Sequence, residues 1–203
     1  MVIHYTAMPS AAEARARLCD PLHEVSAHYL IDEEGRIEAL VPEERRAWHA
    51  GAGTWGGAGD VNSRSVGIEL ANRGTHPFAH RQVAALEELL RDVLRRHAIP
   101  PEGVIGHSDM APARKHDPGP RFDWRRLARA GLSVWPEGGR AEGCLEGHLH
   151  AFGYDASTPP EVLLAAFRLR FRPWAQGPLT AGDLADAEAL GRLWPVDGRA
   201  PGA

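Results

Sequence analysis

The sequence predicts an α/β fold in which helices flank a central mixed β-sheet, with a small three-helix domain at the C-terminal end. Two observations lead to this prediction. Runs rich in β-branched and aromatic residues are mixed along the first 136 residues with runs of helical periodicity. Beyond a polar segment with three glycines and a proline, at 136–143, apolar residues recur at helical spacing. We therefore predict a first domain at 1–136, a linker at 137–143, three helices at 144–195 and a flexible tail at 196–203.

The first elements follow from local signals at the N-terminal end. Residues 1–7 form a β-branched and aromatic run, typical of a strand, that stops before Pro9. Ser10 is placed to cap a helix that reaches about Cys19, with Glu13 at the capping-box position.

A hairpin and a long loop are predicted next. The runs 25–30 and 36–41 flank an acidic turn that ends in Gly35, which favours two antiparallel strands. Residues 42–64 are rich in glycine and are predicted to form an irregular loop. Loops of that length in compact domains are usually functional or disordered.

The segment 65–71 is predicted to be a core strand with one carboxylate. Its alternation places Val66, Ile68 and Leu70 on one face and Glu69 on the opposite face, among smaller residues. Glu69 is therefore directed away from the apolar face of the strand.

The remaining elements of the first domain are a helix at 78–97, a short strand at 103–105, a loop at 107–122 and a helix that Asp123 caps. The first of these helices has an apolar stripe, formed by Val83, Leu86, Leu90, Val93 and Leu94. Three further stripes are predicted beyond the linker: Leu145, Leu149 and Phe152; Val162, Ala165, Ala166, Leu169 and Phe171; and Leu184, Ala187 and Leu190, after Thr180 as a cap.

Composition excludes several classes of protein. The chain has 203 residues, a formal charge of -4 and no block of Lys and Arg, so we expect no nucleic-acid partner. We expect no membrane span, because no window approaches eighteen consecutive apolar residues. Cys19 and Cys144 are 125 positions apart and outside any metal-binding motif, so they are predicted to be buried, unbridged side chains.

Three residues are candidate metal ligands. Catalytic zinc needs three protein ligands and a fourth position for water, and imidazoles with a carboxylate suit it. His4 ends the first strand, and His107 and Asp117 are ten residues apart across a loop with proline and glycine. By spacing alone this signal is weak, because the residues do not form an HExxH helix.

Five segments resemble successive motifs of the zinc-dependent N-acetylmuramoyl-L-alanine amidases of the type-2 amidase family, which are related to the peptidoglycan recognition proteins. The segments are VIHYTA at 2–7, VSAHYLI at 25–31, AWHAG at 47–51, NSRSVGIEL at 62–70 and GHSDMAPARKHDP at 106–118. Ala27 stands where phage and animal members have a tyrosine, as in the branch that includes the AmpD and AmiD enzymes. The resemblance extends from residue 1 to about 136.

The resemblance implies an enzyme that hydrolyses the amide bond between the lactyl group of N-acetylmuramic acid and the L-alanine of the peptidoglycan stem peptide. It implies one Zn²⁺ held by His4, His107 and Asp117. Glu69 would be the catalytic acid and base, and Lys115 would place positive charge beside the developing oxyanion.

Other polar and aromatic residues near these motifs are candidates for substrate binding. Trp48, His49 and Asn62 are predicted to line a glycan or peptide groove, since aromatic rings stack on sugar faces; a packing role is the alternative. His28 is expected either to support the metal ligands or to be packed in the core.

The C-terminal helical segment resembles a three-helix peptidoglycan-binding module, although its stripes would also suit any small bundle. Such a module would raise the local concentration of substrate at the first domain. We expect peptidoglycan or muropeptides as partners and a monomeric protein. The resemblance favours the cell envelope or periplasm, but no signal peptide is visible, so a cytoplasmic location stays open.

Two alternative functions remain at this point. A recognition protein would bind peptidoglycan without cutting it, but such relatives typically lack one of the metal ligands. A metal-dependent amidase for another acylated peptide is the second alternative. The presence of all three ligand types, with Glu69 and Lys115, favours the peptidoglycan amidase.

Overall fold

The computed structural model describes residues 1–196, and the predicted α/β class is confirmed in this part of the chain. The strands are β1 (Val2–Tyr5), β2 (Tyr29–Ile31), β3 (Ile37–Ala39), β4 (Gly67–Leu70) and β5 (Ile105–Gly106). The α-helices are α1 (Ala11–Cys19), α2 (His80–Arg96), α3 (His107–Met110), α4 (Trp124–Arg129), α5 (Leu145–Phe152), α6 (Pro160–Phe171) and α7 (Ala181–Leu193). Most of the predicted tail, residues 197–203, lies outside the described residues.

The five strands form one mixed sheet in the order β3-β2-β4-β1-β5. The predicted hairpin is confirmed, because β2 and β3 pair antiparallel, whereas β4 pairs with β2 and β1 in parallel and β1 also pairs with β5 in parallel. The register of β1 and β4 places His4 directly opposite Glu69. Two candidate site residues that are 65 positions apart in sequence thus become neighbours on one face of the sheet.

The opposite face of the sheet forms the main core. Ile3, Ile68 and Leu70 pack there against the apolar stripe of α2, whose residues Leu86 and Leu90 have no exposed surface. All five residues of the predicted α2 stripe are buried, because every third or fourth residue of a helix lies on one face.

The predicted helix caps are confirmed. The hydroxyl of Ser10 accepts a hydrogen bond from the N–H of Glu13 at 3.2 Å, and Asp123 caps α4 in the same way. Thr180 and Asp183 form a reciprocal capping box at the start of α7.

Three local predictions were wrong. The predicted loop at 107–122 begins with the helical turn α3. Cys19 and Cys144 are free as expected but exposed, because each lies at the end of a helix rather than on its apolar face. The buried stripe of α6 is also displaced by one position, since the core contains Leu163, Ala166, Phe167 and Phe171 instead of Val162, Ala165 and Leu169.

The three C-terminal helices share a second apolar core. Residues such as Leu149, Phe167 and Leu190 fill it, and Val134 and Trp135 at the end of the first segment pack into the same cluster. The ring of Trp55, from the long loop, contacts this cluster too. No helix within residues 1–196 is long and apolar enough to cross a membrane.

Candidate metal centre

Three side chains converge on the polar face of the sheet. His4 belongs to β1, His107 begins α3 directly after β5, and Asp117 lies in the loop that follows α3. His4 Nδ1 lies 2.9 Å from both His107 Nδ1 and Asp117 Oδ2, and the latter two atoms are 3.0 Å apart. All three residues are buried. The fold therefore brings the three candidate ligands together.

The second ring nitrogen of each histidine forms a hydrogen bond away from this cluster. His107 Nε2 donates to the carbonyl oxygen of Ala50 at 2.8 Å, which leaves a lone pair on Nδ1. His4 Nε2 lies 3.0 Å from His49 Nδ1, and His49 Nε2 lies 3.4 Å from the hydroxyl of Ser65. A proton on each Nε2 satisfies this chain of bonds. Both Nδ1 lone pairs then face the cluster.

This donor set fits a metal ion of the zinc type. Neutral imidazoles and a carboxylate are typical ligands of catalytic zinc, and such ligands lie about 3.3 Å apart around a tetrahedral ion. Burial lowers the pKa of His4 to about 4, so this imidazole is neutral at neutral pH. Burial alone would raise the pKa of Asp117, but hydrogen bonds with His107 and His4 outweigh it, and the pKa is lowered. The carboxylate is therefore ionised.

Glu69 is a partly accessible carboxyl group beside this cluster. Its Oε2 atom is buried and has no hydrogen-bond partner within residues 1–196. Burial, and secondarily the charge of Asp117, raises its pKa to about 8, while the charge of Lys115 acts in the opposite direction. A carboxyl group with such a pKa exchanges a proton near neutral pH.

A cavity of about 420 Å³ lies over these residues. The three candidate ligands and Glu69 line it, together with Lys115 and the exposed ring of Trp48. His116 also lines the cavity as an exposed loop residue. The cavity thus combines a metal-binding cluster, a protonatable carboxyl group, a cation and an aromatic wall.

The predicted substrate-binding residues occupy three different environments. Trp48 is 56% exposed at the cavity and stays a candidate. His49 reaches the cavity, but its buried ring bonds to His4 and therefore supports a candidate ligand. Asn62 does not line the cavity: its buried Oδ1 accepts hydrogen bonds from the N–H groups of His49 and Ala50. Asn62 thus fixes the loop behind the site, which agrees with the packing alternative.

His28 is packed behind His49 and is not near enough to the cluster to be a ligand in it. Its Nε2 donates to the carbonyl oxygen of Arg45, and its Nδ1 accepts from the N–H of Gly67. Gly67 itself allows the close approach of His49, because a Cβ atom at this position would lie 2.3 Å from His49 Cγ. The position of the His49 ring beside His4 thus depends on a glycine at position 67.

Sequence analysis missed Arg114 as a residue of the site. This side chain lines the cavity and donates to the carbonyl oxygen of Ala50 at 2.8 Å, the same oxygen that accepts from His107. Its partners are backbone carbonyls in a distant loop, and backbone groups leave no signal in a sequence. Arg114 therefore connects the loop that contains Asp117 to the long loop at 42–64.

A mixed sheet with two imidazoles, one carboxylate and a partly accessible glutamate around a cavity is an arrangement typical of metal-dependent hydrolases. The family model described as N-acetylmuramoyl-L-alanine amidase matches residues 1–120. The chain therefore belongs to the N-acetylmuramoyl-L-alanine amidase family, whose members are metal-dependent hydrolases.

Individual relatives agree with this assignment. The N-acetylmuramoyl-L-alanine amidase AmiD of Escherichia coli is 39% identical over 94% of this chain and 81% of its own length. The 1,6-anhydro-N-acetylmuramyl-L-alanine amidase AmpD of Enterobacter cloacae is 40% identical, over 51% of this chain and 55% of its own length. The match to AmiD thus includes the C-terminal helices, whereas the match to AmpD covers about half of the chain.

Solved structures show the same fold. The structure of AmiD from E. coli, in complex with the substrate anhydro-N-acetylmuramic acid-L-Ala-D-gamma-Glu-L-Lys, superposes with a TM-score of 0.86 at 36% identity over 95% of this chain and 88% of that chain. AmpDh3 from Pseudomonas aeruginosa superposes with a TM-score of 0.85 at 31% identity, over 95% of this chain and 91% of that chain.

Proposed function

We propose that this chain cleaves the amide bond between N-acetylmuramic acid and the L-alanine of the stem peptide, with one zinc ion held by His4, His107 and Asp117. The convergence of these three donor atoms beside Glu69 is the observation that carries the proposal. Such a constellation suits hydrolysis of an unactivated amide, because a bound metal ion would supply Lewis acidity and the carboxyl group would transfer the proton.

The metal would supply Lewis acidity: when bound, zinc polarises a carbonyl oxygen and lowers the pKa of a water molecule towards neutrality. The proton of the attacking water is transferred by a residue of the chain itself. Glu69, whose side chain lines the cavity, takes a proton from the attacking water and then delivers it to the leaving amine of L-alanine. Burial, and secondarily the charge of Asp117, raises the pKa of this carboxyl group towards the neutral range, in which a group can both accept and release a proton.

Lys115 is proposed to stabilise the oxyanion that forms at the scissile carbonyl. Its ammonium group lines the cavity and is near enough to Glu69 to influence the pKa of that residue. A positive charge placed where negative charge develops contributes about 3 kcal/mol to transition-state stabilisation if it acts like an oxyanion-hole donor.

The substrate is proposed to be a muropeptide or peptidoglycan strand. AmiD, which superposes on 95% of this chain, has been solved with an anhydromuropeptide substrate. We infer that the exposed ring of Trp48 stacks on a sugar face at the cavity rim. We further infer that the helices at 144–195 are a peptidoglycan-binding unit joined at 137–143. Because every site residue belongs to one chain, we infer that a monomer is sufficient.

Digestion of purified peptidoglycan, followed by mass spectrometry, tests the proposal. The zinc-loaded protein should release stem peptides with a new L-alanine amino terminus, and a chelator should stop the release until zinc is restored. Glu69→Gln should lose the activity but keep zinc affinity. Glu38→Gln, a matched change on β3 outside the cavity, should retain full activity.

Two outcomes would contradict the proposal. Binding of peptidoglycan without any released peptide, identical in the wild type and Glu69→Gln, would favour a recognition protein. Release of peptide that continues unchanged after removal of the metal would exclude the proposed role of His4, His107 and Asp117.

A further inference from the structure

A buried carboxylate holds the helical turn that contains His107. Asp109 has no exposed surface, and its Oδ2 accepts a 2.7 Å hydrogen bond from the N–H of Gly106, the residue just before His107. The first N–H groups of a helix have no partner inside the helix, so a side chain that accepts from one of them fixes the turn. Asp109 thus fixes the backbone that presents a proposed ligand.

Two residues of the C-terminal helical region hold Asp109 in turn. Arg170, on α6, donates through Nη1 to Asp109 Oδ2 at 2.5 Å. Tyr154, just after α5, donates its hydroxyl to Asp109 Oδ1 at 2.7 Å. Both carboxylate oxygens of Asp109 therefore bond to residues that lie more than forty positions further along the chain.

Arg170 also bonds to the chain on the other side of β5. Its Nη2 donates to the carbonyl oxygen of Val104 at 3.0 Å, immediately before β5, whereas its bond to Asp109 acts after β5. One guanidinium group therefore holds both ends of the short strand that leads into His107. Because β5 has only two residues, its own backbone hydrogen bonds can do little to hold it in place.

The ion pair between Arg170 and Asp109 is buried. Arg170 and Asp109 have side-chain exposures of 1% and 0%, and the guanidinium lies 4.2 Å from the ring centroid of Trp124. A buried charge without a partner is very costly, so neither group can leave the other without loss. Asp109, Tyr154 and Arg170 lie outside the lining of the cavity, so any effect on catalysis passes through the turn.

We propose that Arg170 and Tyr154 are positioning residues of the metal centre, which act through Asp109 to hold His107 in the geometry of a ligand. The inference rests on the proposed function, because it takes His107 to be a ligand. The C-terminal helices then support the active site in addition to any contact with the cell wall. Loosening this support should weaken metal binding, since outer partners of metal ligands typically contribute about tenfold or more to affinity.

The test compares three variants of the full chain. Tyr154→Phe removes one hydroxyl, and Arg170→Met removes the buried charge. Arg168→Met is the matched control: Arg168 is buried on the same helix and also pairs with a buried carboxylate, but its partner Asp183 is on α7. Zinc affinity is measured by competition with a chelator, the Co²⁺-substituted proteins are compared by absorption spectroscopy, and thermal unfolding is recorded separately.

We expect about tenfold weaker zinc binding for Tyr154→Phe and a larger loss for Arg170→Met, both with altered Co²⁺ spectra. Arg168→Met should unfold at a lower temperature but bind zinc within about twofold of the wild type. If Arg170→Met does not fold, Tyr154→Phe decides the question, because it keeps the aromatic packing.

If both Tyr154→Phe and Arg170→Met keep the zinc affinity and the Co²⁺ spectrum of the wild type, the positioning role is wrong, even if the variants are less stable. The proposed function would not be affected by this result. An equal loss of zinc affinity in Arg168→Met would also overturn the positioning role, because general destabilisation would then explain the effect. A wild-type protein that binds no zinc would overturn both the inference and the proposed function.

Discussion

Carboxylates have opposite surroundings in the C-terminal helices and on the polar face of the sheet. In the C-terminal helices, Asp183 accepts hydrogen bonds from Arg168 and from the backbone and hydroxyl of Thr180. On the polar face of the sheet, Asp117 faces two imidazoles, and Glu69 has a buried oxygen without a partner among residues 1–196.

The number of hydrogen-bond partners distinguishes a carboxylate that stabilises the fold from one that takes part in binding or catalysis. A buried carboxylate with a complete set of donors and a matched cation has a lowered pKa and holds the fold together. A buried carboxylate with incomplete partners destabilises the fold by itself, and it is retained where a ligand or a reaction uses it.

Asp117→Ala should abolish zinc binding and reduce the release of stem peptides by about a thousandfold or more, because a metal ligand is lost. The variant should stay folded, since the two remaining imidazoles are buried and His4 is neutral at neutral pH. Zinc titration, peptide release and circular dichroism measure these three properties. Zinc affinity equal to that of the wild type would remove Asp117 from the ligand set.

Asp183→Ala should lower the free energy of unfolding by about 3–5 kcal/mol, because it leaves the buried guanidinium of Arg168 without its counter-charge. The remaining folded molecules should keep wild-type zinc affinity. Arg192→Ala, which breaks an exposed ion pair with Glu188 on the same helix, should change the stability by about 1 kcal/mol at most. Urea unfolding compares the two variants, and similar losses for both would show that the buried pair of Asp183 contributes no more stability than an exposed pair.

Lys115→Met should lower kcat about a hundredfold and leave KM nearly unchanged, because the ammonium group is proposed to act on the transition state. Steady-state kinetics on a soluble muropeptide measure both constants. Arg121→Met is the control, since Arg121 is an exposed cation that does not line the cavity. A large rise in KM with an unchanged kcat would instead make Lys115 a substrate-binding residue.

Glu69→Gln should stabilise the metal-free protein at high pH. The pKa of Glu69 rises from 4.5 to about 8 on folding, so between these values the folded state holds a proton that the unfolded chain releases. The stability of the wild type therefore falls as pH rises through this window. Above pH 8 the variant should be more stable than the wild type, and the difference should vanish near the lower end of the window.

Urea unfolding of both chelated proteins across this pH range provides the measurement. Parallel pH profiles for the wild type and Glu69→Gln would show that Glu69 keeps an ordinary pKa, and the contrast with Asp183 would then disappear.

Local signals were sufficient for most of the fold. Ser10, Asp123 and Thr180 cap the helices as predicted, because capping depends on residues three positions apart. The displaced stripe of α6 shows the limit of such signals: Leu163 and Val162 are equally apolar, and only the position of the neighbouring helices decides which one is buried.

The candidate site was also only partly predictable from the sequence. His4, His107, Asp117 and Glu69 were identified from motif resemblance, and the fold brings all of them to one cavity. The contacts of Asn62 agree with the packing alternative, because its Oδ1 accepts from two backbone N–H groups, and a sequence does not distinguish such an amide from one that binds substrate.

Local features of the sequence were enough to predict the class of fold, the ends of the main helices, the strand that contains Glu69 and the three candidate ligands. These depend on periodicity, capping and motifs, which are local properties. The tertiary structure decided the tautomers of the histidines, the raised pKa of Glu69 and the contact of Arg170 with Asp109. Each of these results from burial or from a partner distant in sequence, and both exist only once the chain has folded.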